Sequence, residues 1–165
     1  MTSPIPRLQP IRPDDPAGWP DTLSDPARRL LEYWASRCDG GRYPARADIE
    51  PGALRDVLPW IFIVECLPGE VTDYRFRLVG TRIAAIEGEC TGRRLSDMFP
   101  DRTKYARLWK QYDACGAGRI LIRHENLGWK GKTHINYQVV LLPLRGETGE
   151  VEHLIGAAYS TLSVD

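Results

Sequence analysis

Residues 74–99 read YRFRLVGTRIAAIEGECTGRRLSDMF, and the pattern of side chains changes twice along this stretch. Apolar residues first alternate with two arginines, which predicts a strand with one apolar and one wet face. The segment TRIAAIE at 81–87 then predicts a short helix with its two isoleucines pointing inward. The turn TGRR follows at 91–94. The stretch therefore predicts a chain that leaves a sheet at Gly80 and folds back across it.

The remainder of the chain supplies further strands and two longer helices. WIFIVECL at 60–67 is apolar on both parities, which predicts a central strand covered on both faces. Apolar residues at helical spacing follow Pro100 and predict a longer helix. Residues 119–127, 134–144 and 151–161 predict three strands joined by short turns, as in an antiparallel meander. The fold class is therefore α+β: a five-stranded antiparallel sheet with helices inserted between strands 2 and 3 and an N-terminal flanking helix.

The chain divides into an arm and one domain. Residues 1–24 contain six prolines, each of which removes a backbone donor, so this segment predicts an extended N-terminal arm. Residues 25–165 are long enough for a single domain with its own core. The domain begins with a helix that Asp25 can cap and that Pro26 suits at its first position.

Composition limits the classes of function. The chain has 22 Lys plus Arg and 22 Asp plus Glu, so its formal net charge is zero. A chain without an excess of positive charge gives no electrostatic reason to expect nucleic-acid or membrane partners. No apolar run approaches the roughly 18 to 20 residues of a membrane span, and residues 1–16 lack the apolar core of a secretory signal. We therefore expect a cytoplasmic protein. The four cysteines form no C-x-x-C pair, which predicts reduced thiols and neither disulfides nor a zinc site.

Several motifs, taken in order, resemble the PAS fold, a sensory module with two strands, a helical wall and three more strands. Residues 80–88 resemble the short helix that ends a strand in PAS domains, and Thr91 to Leu95 resemble its x-T/S-G-R-x-L turn. Residues 44–51 and the 76–81 junction narrow the resemblance to a family of small, mostly uncharacterised stand-alone bacterial PAS-like proteins. The similarity covers about residues 25–163.

The resemblance also bears on cofactors. PAS domains that form a light-driven flavin–thiol adduct carry a cysteine three residues after the turn glycine, whereas Leu95 occupies that place after Gly92. Haem-binding PAS domains commonly supply an axial histidine from the helix after the turn, and residues 101–116 contain no histidine. Flavin-adduct chemistry and haem are both disfavoured, and the sequence leaves any cofactor unknown.

The chain carries no recognisable catalytic or metal motif. It lacks a nucleophile elbow, a P-loop, a dinucleotide fingerprint and a zincin helix, so we expect no enzymatic activity. His124, His134 and His153 each lie on a predicted strand without the tight spacing of metal ligands. We read them as surface or hydrogen-bonded residues and expect no metal.

A ligand cavity is the main candidate site, because the PAS fold places the sheet and short helices around an interior space. The expected lining residues are Phe76, Leu78, Ile83, Ile86, Met98, Phe99, Leu108, Tyr112, Ile122, His124 and Asn136. Tyr112, His124 and Asn136 would orient a ligand in an otherwise apolar site. The alternative is that the same residues simply fill a core, since apolar residues at this spacing mainly mark packing.

The second expected surface is an interface. Strands that are apolar on both faces need cover on both sides. Leu30, Leu31 and Trp34 of the first helix are predicted to cover the outer face together with a second subunit, as a homodimer.

These expectations combine into one function and two alternatives. We expect a cytoplasmic PAS-like sensory or regulatory module that acts by association with itself or with an unidentified signalling protein, modulated by a small ligand. Because the last predicted strand ends near Thr161, we expect the module to stand alone. One alternative is a ligand-free interaction or dimerisation adaptor. The other is a small NTF2-like enzyme or carrier, whose long helices would precede most strands.

Overall fold

The structure is a computed structural model that describes residues 22–127 and 132–160, with side chains described except at 125–127 and 132–136. Most of the predicted arm, residues 1–21, lies outside the described residues, as do the side chains of His134 and Asn136. The helices are α1 Asp25–Ser36, α2 Thr81–Glu87, α3 Leu95–Met98 and α4 Ala106–Gly116. The strands are β1 Ile61–Leu67, β2 Asp73–Val79, β3 Leu121–Leu127, β4 Lys132–Arg145 and β5 Val151–Ser160.

The five strands form one antiparallel sheet in the order β2-β1-β5-β4-β3. β1 pairs with both β2 and β5, so it lies inside the sheet as its apolar sequence predicted. Strands β3, β4 and β5 form the predicted meander. α2, α3 and α4 are inserted between β2 and β3. The predicted α+β fold class is therefore confirmed.

The sheet has two apolar faces, each with its own cluster of buried side chains. We call the face that carries Phe62 and Val64 the inner face, and α2 to α4 pack against it. The outer face carries Ile61 and Ile63, and α1 packs against it. Alternate residues of β1 thus belong to different clusters, as the period of a strand requires.

Gly80 sets the point at which the chain leaves the sheet. Its amide donates a 2.7 Å hydrogen bond to the Ile61 carbonyl oxygen. A Cβ at this position would lie 2.3 Å from the carbonyl oxygen of Pro59. Only glycine fits so close to a neighbouring backbone. The chain then enters α2 directly, with the bounds that the sequence predicted.

A register shift in the β1–β2 pair reverses the direction of the last side chains of β2. Val64 pairs with Phe76, but Ile63 pairs with Leu78, so Arg77 is an extra residue on β2. One extra residue moves every following side chain to the other face. Leu78 therefore packs in the outer cluster, and Val79 packs on the inner face in its place. The prediction that Leu78 faces the interior cavity is wrong for this reason.

α1 is fully packed against the outer face. Leu30, Leu31 and Trp34 are 0% exposed within the single chain. The indole Nε1 of Trp34 donates a 2.9 Å hydrogen bond to the Pro143 carbonyl oxygen. The assignment of these three residues to an intermolecular surface is wrong, because the packing of α1 against the sheet of the same chain buries them. They are unavailable to a partner unless α1 leaves the sheet.

The start of α1 also differs from its prediction. Ser24, and not Asp25, is the N-cap residue, and its hydroxyl oxygen accepts a hydrogen bond from the Ala27 amide. The side chain of Gln138 on β4 accepts a hydrogen bond from the Ser24 amide and donates one to the Thr22 carbonyl oxygen, each at 2.7 Å. The packed part of the chain thus includes residues 22–24, which the sequence assigned to the arm.

Candidate ligand cavity

A cavity of about 340 Å³ lies between the inner face of the sheet and the helices α2 to α4. Most of its lining is apolar. The sheet contributes Phe62, Phe76, Val79, Val139 and Ala158, and the helices contribute Ile83, Leu95, Leu108 and Tyr112. Cys90, Met98 and Phe99 complete the apolar part, and Glu87, Arg93, Asp97, Arg123 and Tyr137 add polar groups.

We call residues 88–99 the roof segment. It runs from the end of α2 through α3, and several of its side chains line one side of the cavity. The roof segment is fastened to the edge strand β2 by backbone hydrogen bonds. The Phe76 amide donates to the Arg93 carbonyl oxygen at 3.0 Å, and the Gly92 amide donates to the Phe76 carbonyl oxygen at 2.7 Å. Gly92 has a φ of +87°, in the region that glycine occupies without strain.

Two side-chain contacts hold the helices of this wall in place. Asp73, the first residue of β2, accepts hydrogen bonds from the amide and the hydroxyl of Ser96 on α3, at 3.2 and 2.5 Å. The hydroxyl of the buried Tyr74 donates a 2.6 Å hydrogen bond to Asp113 on α4. β2 therefore holds both α3 and α4 in place through side-chain hydrogen bonds.

The polar groups of the cavity influence one another electrostatically. Burial lowers the pKa of Arg123 on β3, an effect that Tyr112 and Glu87 oppose. Burial raises the pKa of Tyr137 above its ordinary range, and the charge of Glu87 raises it further. Burial also raises the pKa of Tyr112, while the charge of Arg123 opposes that rise. Both phenols are therefore neutral at physiological pH.

The hydroxyl of Tyr137 is the least satisfied polar group in the cavity wall. The residue is 5% exposed, and its hydroxyl is buried without a hydrogen-bond partner. A buried polar group without a partner costs roughly 1–3 kcal/mol. Such groups are rare in native structures and need a water or a ligand atom beside them. The hydroxyl has almost no accessible surface of its own, so it is enclosed by protein atoms although the residue lines the cavity.

The structure brings together six of the eleven residues proposed from the sequence as ligand-binding. Phe76, Ile83, Met98, Phe99, Leu108 and Tyr112 line the cavity. Ile86 is buried in the same inner cluster but does not line the cavity. Asn136 lies on β4, and its side chain is outside the described part of the structure.

Ile122 and His124 do not reach the cavity, because the alternation of β3 is opposite to the one assumed. Ile122 pairs with Val140 and packs against the outer cluster, whereas Arg123 pairs with Val139 on the inner face. His124 is exposed. The register of the β3–β4 pair, rather than the apolar character of Ile122, decides which side chain faces inward.

Eleven lining residues were not among the candidates. They are Phe62, Val79, Glu87, Cys90, Arg93, Leu95, Asp97, Arg123, Tyr137, Val139 and Ala158. Strand alternation in β1 and β4 could have identified Phe62, Tyr137 and Val139 as inward-facing, because both strands carry apolar residues on both faces. No sequence pattern distinguishes Glu87 or Arg123 from the surface charges around them.

Other chemistries find no support in the described residues. The part of the chain that the structure describes contains no group of three or more His, Cys, Asp or Glu side chains placed to hold a metal ion. Cys38, Cys66, Cys90 and Cys115 all lie in the described part of the chain, and none of them forms a disulfide bond. Among the helices described, none is long and apolar enough to cross a membrane.

The described fold is a five-stranded antiparallel sheet with helices inserted after its second strand, which together line a cavity. A family model described as PAS domain matches residues 23–159. The chain belongs to the PAS domain family, as the sequence motifs indicated. No curated protein matches the chain.

Several solved structures resemble the chain at low sequence identity. A sensory box sensor histidine kinase from Vibrio cholerae is 16% identical with a TM-score of 0.44, and the match covers 67% of this chain and 86% of that chain. A LOV protein from Rhodobacter sphaeroides is 14% identical with a TM-score of 0.41, covering 68% of this chain and 69% of that chain. An RNA-binding Light-Oxygen-Voltage receptor is 16% identical with a TM-score of 0.44, covering 74% of this chain and 35% of that chain. The family assignment itself rests on the family-model match.

Proposed function

We propose that this PAS domain recognises a small molecule in its cavity and passes the ligand state on by associating with another protein or with a second copy of itself. The observation that carries the proposal is the cavity of about 340 Å³ with its largely apolar lining. Native interiors contain few voids larger than a water molecule. Ligand sites occupy about 300–1,000 Å³ and combine apolar walls with a few polar groups.

The rival interpretation, a ligand-free adaptor with a closed core, fits the inner face less well. The outer cluster shows what a filled interface between helix and sheet looks like in this protein, with Leu30, Val140 and Ile155 all at 0% exposure. The inner face has an equally apolar sheet surface and yet retains a cavity. The NTF2-like alternative is excluded by the order of the elements, since two strands precede the inserted helices.

A route from the cavity to the surface supports the signalling part of the proposal. Met98 and Phe99 line the cavity, and Ser96 in the same helical turn is tied to Asp73 of the edge strand β2. A ligand that displaces this turn changes the surface of β2 and the roof segment. To shift association, the ligand must bind one association state more tightly than the other. Any partner surface excludes Leu30, Leu31 and Trp34, because they are buried between α1 and the outer face of the sheet.

Thermal stability with and without ligands tests the proposal. A ligand that binds only the folded state at 100 times its Kd stabilises it by about 2.7 kcal/mol. We expect metabolite screening by differential scanning fluorimetry to find compounds that raise the Tm of the wild type. The Ala158→Leu variant, which fills part of the cavity, should lose this response.

Ala85→Leu is the matched control, because Ala85 is exposed on α2 and does not line the cavity. It should respond to the same compounds as the wild type. An equal response of the wild type and both variants would contradict ligand binding in this cavity.

A further inference from the structure

Three arginine side chains lie together at the β2 edge of the sheet. Arg75 of β2 and Arg94 of the roof segment are directly opposite each other in an antiparallel bridge, and Arg93 precedes Arg94. Residues opposite each other in such a pair have Cβ atoms about 5 Å apart, and like charges there are destabilising. Arg93 and Arg94 are exposed, whereas Arg75 is half-buried. We call these three residues the arginine patch.

The arginine patch is not neutralised by carboxylates of the described part of the chain. No ion pair or side-chain hydrogen bond there involves any of its three guanidinium groups. Glu65 of β1 is the residue opposite Arg75, but its carboxylate forms an ion pair with Arg77. A charge that is partly removed from water without a partner is unfavourable. The arginine patch therefore favours contact with carboxylates from outside the chain.

A second surface of the same chain carries the opposite charge. A broad groove lies where the β1–β2 turn, the end of α4 and the β4–β5 turn meet. Among the described residues, no lysine or arginine lines it, and its five carboxylates belong to Glu65, Glu70, Asp113, Glu150 and Glu152. The C-terminal end of α4 also borders the groove and adds the negative end of its helix dipole. We call this surface the acidic groove.

Three of the five carboxylates are available to a partner. The other two already interact, one with Arg77 and one with the Tyr74 hydroxyl. Glu70, Glu150 and Glu152 are exposed, and in the described part of the chain their side chains form neither an ion pair nor a hydrogen bond. The acidic groove thus offers three carboxylates to match the three guanidinium groups of the arginine patch.

Charge complementarity favours a second copy of this chain as the partner. The two surfaces adjoin at β2, because Tyr74 lines the acidic groove and the next residue, Arg75, belongs to the arginine patch. Successive side chains of a strand point to opposite faces, so within one chain the two surfaces face different sides of β2. In a two-fold dimer every contact occurs twice, so the patch of each copy can meet the groove of the other. The net charge of zero means that two copies do not repel each other as a whole.

We propose that two copies of this chain associate through the β2 edge, with the arginine patch of one copy on the acidic groove of the other. The inference rests on the proposed function, since it names the partner and the surface of the association proposed there. Arg93 belongs both to the arginine patch and to the lining of the cavity. The interface therefore includes a side chain that a ligand in the cavity can contact.

Two charge-reversed variants test the interface. The first carries Arg93→Glu and Arg94→Glu, and the second carries Glu70→Lys and Glu150→Lys. All four side chains are exposed and form no side-chain hydrogen bond or ion pair in the described part of the chain, so we expect both variants to fold. Circular dichroism checks their folding, and sedimentation velocity with native mass spectrometry measures association of each variant and of their equimolar mixture.

The wild type should form a dimer that is weaker at about 500 mM than at about 50 mM NaCl, because salt screens exposed charges. Each charge-reversed variant should raise the Kd of the dimer about tenfold or more, because like charges then meet. The mixture should restore a heterodimer, since the new glutamates of one variant face the new lysines of the other. The matched control, Arg55→Glu with Lys110→Glu, reverses two exposed cations outside both surfaces and should dimerise as the wild type does.

A wild type that stays monomeric at micromolar concentrations and about 50 mM NaCl would overturn the inference. A dimer that neither variant weakens, or a mixture without heterodimer, would overturn it too, although association through another surface would then stand. The ligand part of the proposed function is decided separately. Compounds that raise the Tm of the wild type but not of Ala158→Leu support it whatever the oligomeric state, and an equal response of both proteins defeats it.

Discussion

Ala157 and Ala158 are adjacent residues of β5 on opposite faces of the sheet, which makes them a sensitive test of whether the inner face is incompletely filled. Ala157 is 0% exposed in the outer cluster and pairs with Ile61 and Val140. Ala158 is 7% exposed and lines the cavity. The same substitution, alanine to leucine, thus enlarges the side chain once toward packed atoms and once toward a cavity.

The two substitutions are expected to have opposite effects on the free energy of unfolding. Ala158→Leu buries three more carbons at roughly 0.8 kcal/mol each, and ordering the leucine side chain costs about 0.5–1 kcal/mol. The net expectation is a stabilisation of about 1.4–1.9 kcal/mol. Ala157→Leu has no space to occupy, and such overpacking costs about 1–3 kcal/mol. The two variants should therefore differ by about 2.5–5 kcal/mol.

Urea unfolding followed by circular dichroism measures the difference, provided that the m-value stays the same in both variants. The measurement is made on protein freed of any ligand, because a bound molecule would itself stabilise the wild type. Destabilisation by both substitutions to within about 1 kcal/mol of each other would refute the reasoning, because it would mean that the inner face is as tightly filled as the outer one.

Two further predictions concern the turn after β2 and the pH dependence of stability. Gly80→Ala should destabilise the protein by about 3 kcal/mol in urea unfolding, because the new Cβ would lie 2.3 Å from the Pro59 backbone. Gly52→Ala is the control and should have little effect, since no atom lies within 4 Å of its new Cβ. Equal effects of the two substitutions would contradict the close approach at Gly80. Burial lowers the pKa of His153 below its ordinary value of 6.5, with Glu65 and Glu152 opposing the shift and Arg46 and Arg77 adding to it. As the pH falls, the unfolded chain therefore protonates His153 at a higher pH than the folded protein does. The free energy of unfolding falls as the pH drops below about 6.5, and His153 has no effect on it well above that pH. Urea midpoints at pH 7.5 and 5.5 should fall further in the wild type than in His153→Gln, and an equal fall in both would show that His153 does not contribute.

Local patterns in the sequence predicted those helices and strands whose type and bounds depend on a single short segment. The bounds of α2 follow from TRIAAIE, and the central place of β1 follows from an apolar run with no polar face. These signals depend on helical or strand period and on neighbouring residues alone. The order of such elements then indicated the family.

The cavity lining was predicted less completely, because it depends on contacts between distant segments. The extra residue at Arg77 moves Leu78 to the outer face, and no local pattern announces that register shift. The alternation of β3 is fixed by its pairing with β4, which places Arg123 inward and Ile122 outward. Likewise, Leu30, Leu31 and Trp34 look like an interface in sequence, and only the packing of α1 shows that the same chain covers them.

Native mass spectrometry of the protein purified from its host cells tests the central claim, that the cavity is a ligand site, most directly. The account predicts a folded species heavier than the chain by the mass of one small molecule per chain, released on denaturation. It also predicts that Ala158→Leu reduces this adduct while Ala85→Leu retains it. A wild type without any adduct, before and after incubation with the compounds tested by differential scanning fluorimetry, would contradict the account.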